Sequence, residues 1–260
     1  MGLQLVRWPD AFCEQLADHG YYVVRFDNRD AGRSTHLPGG RYRLEDLADD
    51  AVGLLDALGI DSAHVVGASL GGMVAQLMAI RHASRVRSLA SMMSTTGRRG
   101  KGRTALRVYR HMFSRRPRAE EAVIERRVRV FVDIGSTGFA QDADEIRRAT
   151  ALALRRDSNA HDGRRRQQRA VRTADDRTAR LRQISVPTVV IHGTVDPICH
   201  PSGGRATAEA IPGARLKLID GMGHDLPPGA WPQIIDTIAD NARRADAPPT
   251  TSKHPAGPGA

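Results

Sequence analysis

The chain has 260 residues, 40% of them hydrophobic and 26% charged, so it carries the apolar mass for one sizeable core and is not an intrinsically disordered chain. No run approaches the ~20 consecutive apolar residues that cross a bilayer, and the opening Met1-Gly2-Leu3-Gln4-Leu5-Val6-Arg7 lacks the basic flank and apolar stretch of a secretory signal; a cytoplasmic protein with no membrane partner is expected. The formal net charge of +10 is local: residues 98–182 hold 24 basic and 11 acidic side chains, against 15 and 18 in the remainder.

Residues 10–18 predict a helix, and Tyr21-Tyr22-Val23-Val24-Arg25-Phe26 after them predicts a strand. Residues 44–58 set Leu44, Leu47, Ala48, Ala51, Leu55 and Leu58 on one stripe, with Glu45, Asp46, Asp49 and Asp50 opposite, which predicts an amphipathic helix closed by Gly59. Ala63-His64-Val65-Val66-Gly67 reads as a buried strand that runs straight into Gly67-Ala68-Ser69-Leu70-Gly71-Gly72 and a further helix over residues 73–79. This is G-x-S-x-G at a strand-to-helix turn, where small residues two before and two after let the chains approach and the serine hydroxyl stands free above a helix N-terminus. A Gly-rich turn can also cradle a phosphate. Glycines at 67, 71 and 72 do not spell G-x-G-x-x-G, however, and no acidic residue ends a strand ~20 residues on, so a dinucleotide is not expected.

Residues 86–92, 187–191 and 215–219 predict three more strands, and residues 230–242 a helix after the last. Strands alternating with helices imply an α/β fold whose mostly parallel sheet is covered on both faces. Residues 97–182 have helical period broken at Pro117, at Gly135-Ser136-Thr137-Gly138 and at Asp157-Ser158-Asn159, and they offer no clear strand. They predict a helical lid over the carboxyl edge of a core made of residues 1–96 and 183–244. The lid's arginines come in pairs and triplets among Ala, Leu and Val, with few aromatics to stack on bases, so they predict solvated helix faces and not a nucleic-acid surface. Met112, Phe113, Phe131 and Phe139 are its apolar candidates, either for lining a substrate pocket or for packing the lid on itself. Residues 245–260, rich in Pro, Thr, Gly and Ala, predict a disordered tail.

A serine hydroxyl is a poor nucleophile at neutral pH and needs a base within hydrogen-bond reach and an acid to orient that base. Ile191-His192-Gly193-Thr194-Val195-Asp196 places Asp196 beyond the end of one strand, and Asp220-Gly221-Met222-Gly223-His224-Asp225 places His224 beyond the next. In a parallel sheet these carboxyl-end loops share an edge with Ser69, so Ser69, Asp196 and His224 are the candidate catalytic residues. His192 and His64 lie inside strands and read as core histidines, His200 as a rim residue, and Asp225 is expected to point elsewhere. Ser94-Thr95-Thr96 offers no carboxylate. Cys13 and Cys199 lack the spacing of a zinc site or a disulfide framework and are expected as reduced thiols; no metal or organic cofactor is required.

With these motifs the chain resembles the α/β-hydrolase superfamily over nearly all of its length except the tail. Phe26-Asp27-Asn28-Arg29-Asp30-Ala31-Gly32-Arg33-Ser34 is similar to the loop after that fold's fourth strand, Gly67 to Gly71 to its nucleophile elbow, His192 to Asp196 to its acid loop and Gly221 to His224 to its histidine loop. The wording around Trp8-Pro9-Asp10-Ala11-Phe12-Cys13 and Phe26 to Ser34 resembles that of bacterial carboxylesterases of the aclacinomycin methylesterase type. The resemblance implies an α/β-hydrolase fold and a serine hydrolase acting on a small-molecule carboxylic ester, with Ser69 as nucleophile, His224 as base and then acid, and Asp196 as its orienter. Peptidase or perhydrolase chemistry would use the same three residues, and a non-catalytic scaffold or basic binding protein is the reading from a different class. The resemblance also implies that Met1-Gly2-Leu3 matches the middle of the oxyanion loop, with the amides of Leu70 and Leu3 as donors, and that the fold's first three strands are absent. The third of these lies between the fourth and fifth strands, so a gap with unpaired backbone on both sides is expected there, with loss of activity if the oxyanion loop is left free; a misassigned start or a fragment is the expected cause.

Overall fold

The structure is a computed structural model and describes residues 1–113, 117, 119–157 and 160–247, without the side chains of residues 110–113, 160 and 161. Four strands, β1 (Ala63–Ala68), β2 (Val86–Met92), β3 (Thr188–Gly193) and β4 (Arg215–Ile219), form one parallel sheet in the order β1-β2-β3-β4. Val66 lies beside Ala90, Ala90 beside Val189 and Val189 beside Arg215. Each strand returns to the same edge through helix, as parallel pairing demands, so all four carboxyl ends lie together.

The central strands β2 and β3 are almost wholly buried because both faces are covered, while the edge strand β4 exposes Arg215 and Leu216. On one side Leu89 packs with α2 (Leu44–Ala57), α3 (Leu70–Arg81), Leu181 and Ile211. On the other, Ala90, Met92, Val189 and Ile191 pack with Phe12 and Leu16 of α1 (Asp10–Ala17) and with Ile234, Ile235 and Ile238 of α10 (Trp231–Asp246). Leu89 and Ala90 face opposite layers, the period of two that a strand imposes. Residues 97–182 carry α4 (Leu106–Phe113), α5 (Glu120–Ile134), α6 (Ala143–Arg156), α7 (Ala160–Arg172) and α8 (Thr178–Leu181), with no strand among their described residues. The helix α9 (Ser202–Ala210) between β3 and β4 has too few large apolar residues to give a periodic signal, yet Gly203 and Gly204 let it sit directly on Cys199 and His192.

Three expectations are corrected. Residues 21–26 keep a strand's alternation, with Tyr21, Val23 and Arg25 half-buried and Tyr22 90% exposed, but they form no strand. Among the described residues they make no backbone–backbone hydrogen bond, because no neighbour lies within reach to complete a ladder. Tyr21 packs edge-on against His64 of β1, with ring centroids 5.3 Å apart, but the two segments form no ladder, and a cavity of about 1710 Å³ lined by both continues to Ser69. The arginines of the lid are not all solvated: Arg156 pairs with Asp27 at 2.6 Å, Arg166 with Asp30 at 2.6 Å, and Arg177 is 2% exposed. Asp27 and Asp30 are buried in the core, and a buried carboxylate needs a cation or donors. The last helix runs to Asp246, so residues 245 and 246 are helical where a disordered tail was expected; residues 248–260 lie outside the described residues, as do the side chains of Met112 and Phe113.

Candidate active site

Ser69 stands between the end of β1 and the first turn of α3 with φ 56° and ψ −115°, a conformation that a non-glycine residue adopts only when its surroundings force it. The forcing contacts are visible. The Ser69 amide donates to the Met92 carbonyl at 2.8 Å, and the Ser69 carbonyl accepts from Met73 N at 3.2 Å and from the Ser94 hydroxyl at 2.9 Å. A Cβ on Gly67 would stand 2.1 Å from the Gly71 carbonyl oxygen, and one on Gly72 would stand 2.6 Å from Ser94 Cβ. The close approaches therefore require Gly67 and Gly72, whereas a Cβ on Gly71 would meet nothing.

His224 bridges the other two candidates. Its Nδ1 lies 2.7 Å from Asp196 Oδ2 and its Nε2 lies 3.0 Å from Ser69 Oγ. An ionised carboxylate only accepts, so Nδ1 carries the proton and Nε2 is left to accept from the serine hydroxyl. Asp196 has no exposed side-chain surface, and its Oδ1 accepts from the amides of Ile198 at 2.8 Å and Cys199 at 2.9 Å. Burial alone would raise its pKa, but the charge of His224 and hydrogen bonds from His192, His224 and the Cys199 amide outweigh it and hold the carboxyl at about 2.

The histidine loop is fastened to the lid. The His224 amide donates to the Ile134 carbonyl at 2.8 Å, and Gly223 N donates to Ser136 Oγ, which in turn donates to Asp225 Oδ1 at 2.6 Å. Asp225 thus points away from Ser69, as expected, and its other oxygen accepts from Ser136 N. The amides of Thr137 and Gly138 both donate to the Gly221 carbonyl. The helix break at residues 135–138, legible only as an interruption in the sequence, is the seat of the histidine.

His192 is a buried histidine of β3, as its strand position predicts, and it stands beside the acid. It is fully buried, donates from Nε2 to the Cys199 carbonyl at 2.7 Å, and holds the same nitrogen 3.4 Å from Asp196 Oδ2. Its Nδ1 has no partner, and α9 lies so close over it that a Cβ on Gly204 would stand 2.5 Å away. His64 is remote, bonded to Ser88 Oγ at the start of β1, and His200 is engaged with Ser202 at the surface. Of the two oxyanion candidates, Leu70 opens α3 directly after Ser69, while Leu3 is 43% exposed on the wall of the cavity that Ser69 and Leu70 also line. Phe131 lines that cavity; Phe139 packs on the sheet's core instead. Cys199 is a buried free thiol whose pKa burial pushes up, with the Asp196 charge adding to the effect, and Cys13 is the other free thiol. Among the described residues no group of three or more His, Cys, Asp or Glu is placed to hold a metal, and no helix is long and apolar enough to cross a membrane.

Comparison with known proteins agrees with the fold. A family model described as alpha/beta hydrolase fold matches residues 4–227. The rhodomycin D methylesterase DauP of Streptomyces sp. (strain C5) is 32% identical over 92% of this chain and 87% of its own, and the rhodomycin D methylesterase DnrP of Streptomyces peucetius is 30% identical over 92% and 87%. The structure of a thermophilic esterase from Thermogutta terrifontis matches with a TM-score of 0.72 and 25% identity, covering 94% of this chain and 87% of that one.

Proposed function

This chain belongs to the α/β-hydrolase fold family, and we propose that it is a serine-dependent hydrolase of carboxylic esters working through an acyl-enzyme. The observation that carries the proposal is the single imidazole of His224 held between Ser69 Oγ and Asp196 on the wall of one cavity. Ser69 Oγ attacks the ester carbonyl carbon as its proton passes to His224 Nε2, and Asp196 accepts the Nδ1 hydrogen bond of the imidazolium so formed. The oxygen that gains charge is met by the Leu70 amide at the N-terminus of α3, with the Leu3 amide as the second donor. Collapse breaks the ester C–O bond, and His224 returns the proton to the departing alkoxide. Water, deprotonated by His224, then attacks the acyl-Ser69 ester and releases the carboxylic acid with Ser69 restored.

The methylesterase relatives support an ester as substrate. Hydrolysis of p-nitrophenyl acetate and butyrate tests the reading. Ser69→Ala is expected to remove turnover while leaving the melting temperature nearly unchanged, since it deletes one oxygen at a half-buried position. Turnover that survives in Ser69→Ala would rule the serine mechanism out.

A further inference from the structure

We propose that Arg7 is an anion subsite in the cavity that holds Ser69, so that the esters taken are half-esters of dicarboxylic acids, with a free carboxylate seated on Arg7. The proposal deepens the ester-hydrolase reading and rests on it for the reaction, though not for the binding.

Arg7 ends the short 3-10 turn Leu5–Arg7, which follows Leu3. That turn is fixed from both sides: Arg7 N donates to the Gln4 carbonyl at 2.9 Å, and Leu5 N donates to Asp27 Oδ1 at 2.7 Å. The side chain enters the cavity and lays its guanidinium over the Phe131 ring, 4.0 Å from the centroid. An aromatic face covers the plane of a guanidinium without using any of its N–H groups, so the donor edge is left aimed at whatever enters.

Among the described residues nothing occupies that edge: the Arg7 side chain makes no hydrogen bond or ion pair, and the acids within electrostatic reach are committed elsewhere, Asp225 to Ser136 at 2.6 Å and Glu145 to Arg148 at 2.9 Å. Burial first, and then the charge of Arg127, lower its pKa to about 10 against the opposing pull of Glu145 and Asp225, so it remains a cation at neutral pH in surroundings that solvate it poorly. Other arginines removed from solvent find acceptors inside the protein: Arg156 has Asp27, Arg166 has Asp30, and Arg177 has Gln76 Oε1 and the Thr95 carbonyl. A partly desolvated fork without one is best satisfied by a planar carboxylate, which takes two parallel N–H bonds. Ser69 and His224 line the same cavity, so a ligand seated on Arg7 shares the space in which the reaction would run.

Two readouts test this. In the first, kcat/KM is measured for the monomethyl esters of the linear dicarboxylic acids from succinate to suberate and for the matching neutral methyl alkanoates. At the best chain length the half-ester is expected to lead by about tenfold, the value of one charge-assisted pair, and Arg7→Met to collapse that ratio while Arg7→Lys keeps part of it. In the second, calorimetry follows binding of the same half-esters to the Ser69→Ala chain, where Arg7→Met is expected to weaken binding about tenfold. A ratio below one at every chain length, or equal binding with and without Arg7, would overturn the subsite. Binding that depends on Arg7 in a chain whose Ser69 form hydrolyses no ester would leave the subsite standing and remove the esterase reading instead.

Discussion

One carboxylate oxygen, Asp196 Oδ2, faces two imidazoles, 2.7 Å from His224 and 3.4 Å from His192. Replacing Asp196 with Asn keeps the shape but supplies a donor where an acceptor is needed, so His224 is expected to take the wrong tautomer and turnover to fall ~10⁴-fold with the fold intact. Loss of the His192 donor acts one step further out. His192→Phe leaves the Cys199 carbonyl unpaired and frees the loop whose amides hold Asp196 Oδ1, and kcat is expected to drop ~10- to ~100-fold with little change in KM. A KM effect of the same size would mean that His192 shapes the pocket and not the acid. Ser69, Asp196 and His224 were legible as a group because each follows a strand on one sheet edge. His192 was not: its place in an apolar strand is that of a core histidine, and what distinguishes it is a neighbour fixed by tertiary packing, with Gly204 making the room.

At the scale of elements, the lid is fastened by buried ion pairs as well as by apolar contact. Arg156 on α6 reaches Asp27, and Arg166 on α7 reaches Asp30 with both Nε and a terminal nitrogen. Arg156→Met leaves Asp27 as a buried charge without its cation, and urea unfolding is expected to show a loss of ~3 to 5 kcal/mol; adding Asp27→Asn should recover part of it. No loss in the single variant would mean that solvent reaches Asp27 more freely than its burial indicates. Periodicity gave α1, α2, α3, α10 and the strands β1 to β4 within a few residues, and it missed α9, which lacks the large apolar residues that carry a periodic signal. It failed for residues 21–26, whose pattern is that of a strand but which find no ladder partner among the described residues, and for the arginines, since charge count along a helix does not reveal which acids wait opposite. At the elbow the pattern named Gly67 and Gly71, whereas the packing demands Gly67 and Gly72.

For the whole molecule, the sheet is open along β1, with a cavity where a ladder would be. Hydrogen exchange is expected to show this as rapid exchange at the amides of residues 21–26 and slow exchange in β2 and β3, which are paired on both sides. Protection at residues 21–26 equal to that of β2 would mean that the gap closes in solution. Acid should weaken the fold in a defined window. Asp30, where burial is outweighed by hydrogen bonds from Arg166 and Leu37 N, and Asp196 both sit at about 2 against an ordinary 3.8. Folded pKa values below the unfolded ones add stability that is complete above about pH 4 and is lost as pH falls toward 2, on the order of 2 kcal/mol for each group. A midpoint of urea unfolding that stays constant from pH 5 to about pH 2 would contradict that assignment.

The convergence of Ser69, His224 and Asp196 on one working site is most directly tested by treating the chain with an active-site-directed fluorophosphonate and mapping the adduct by mass spectrometry. A single phosphonyl group on Ser69 is expected, formed in the parent chain and absent, or slowed ~10³-fold or more, in His224→Ala. A folded chain that takes no adduct on Ser69, or takes it equally fast without His224, would show that the three side chains meet without acting together.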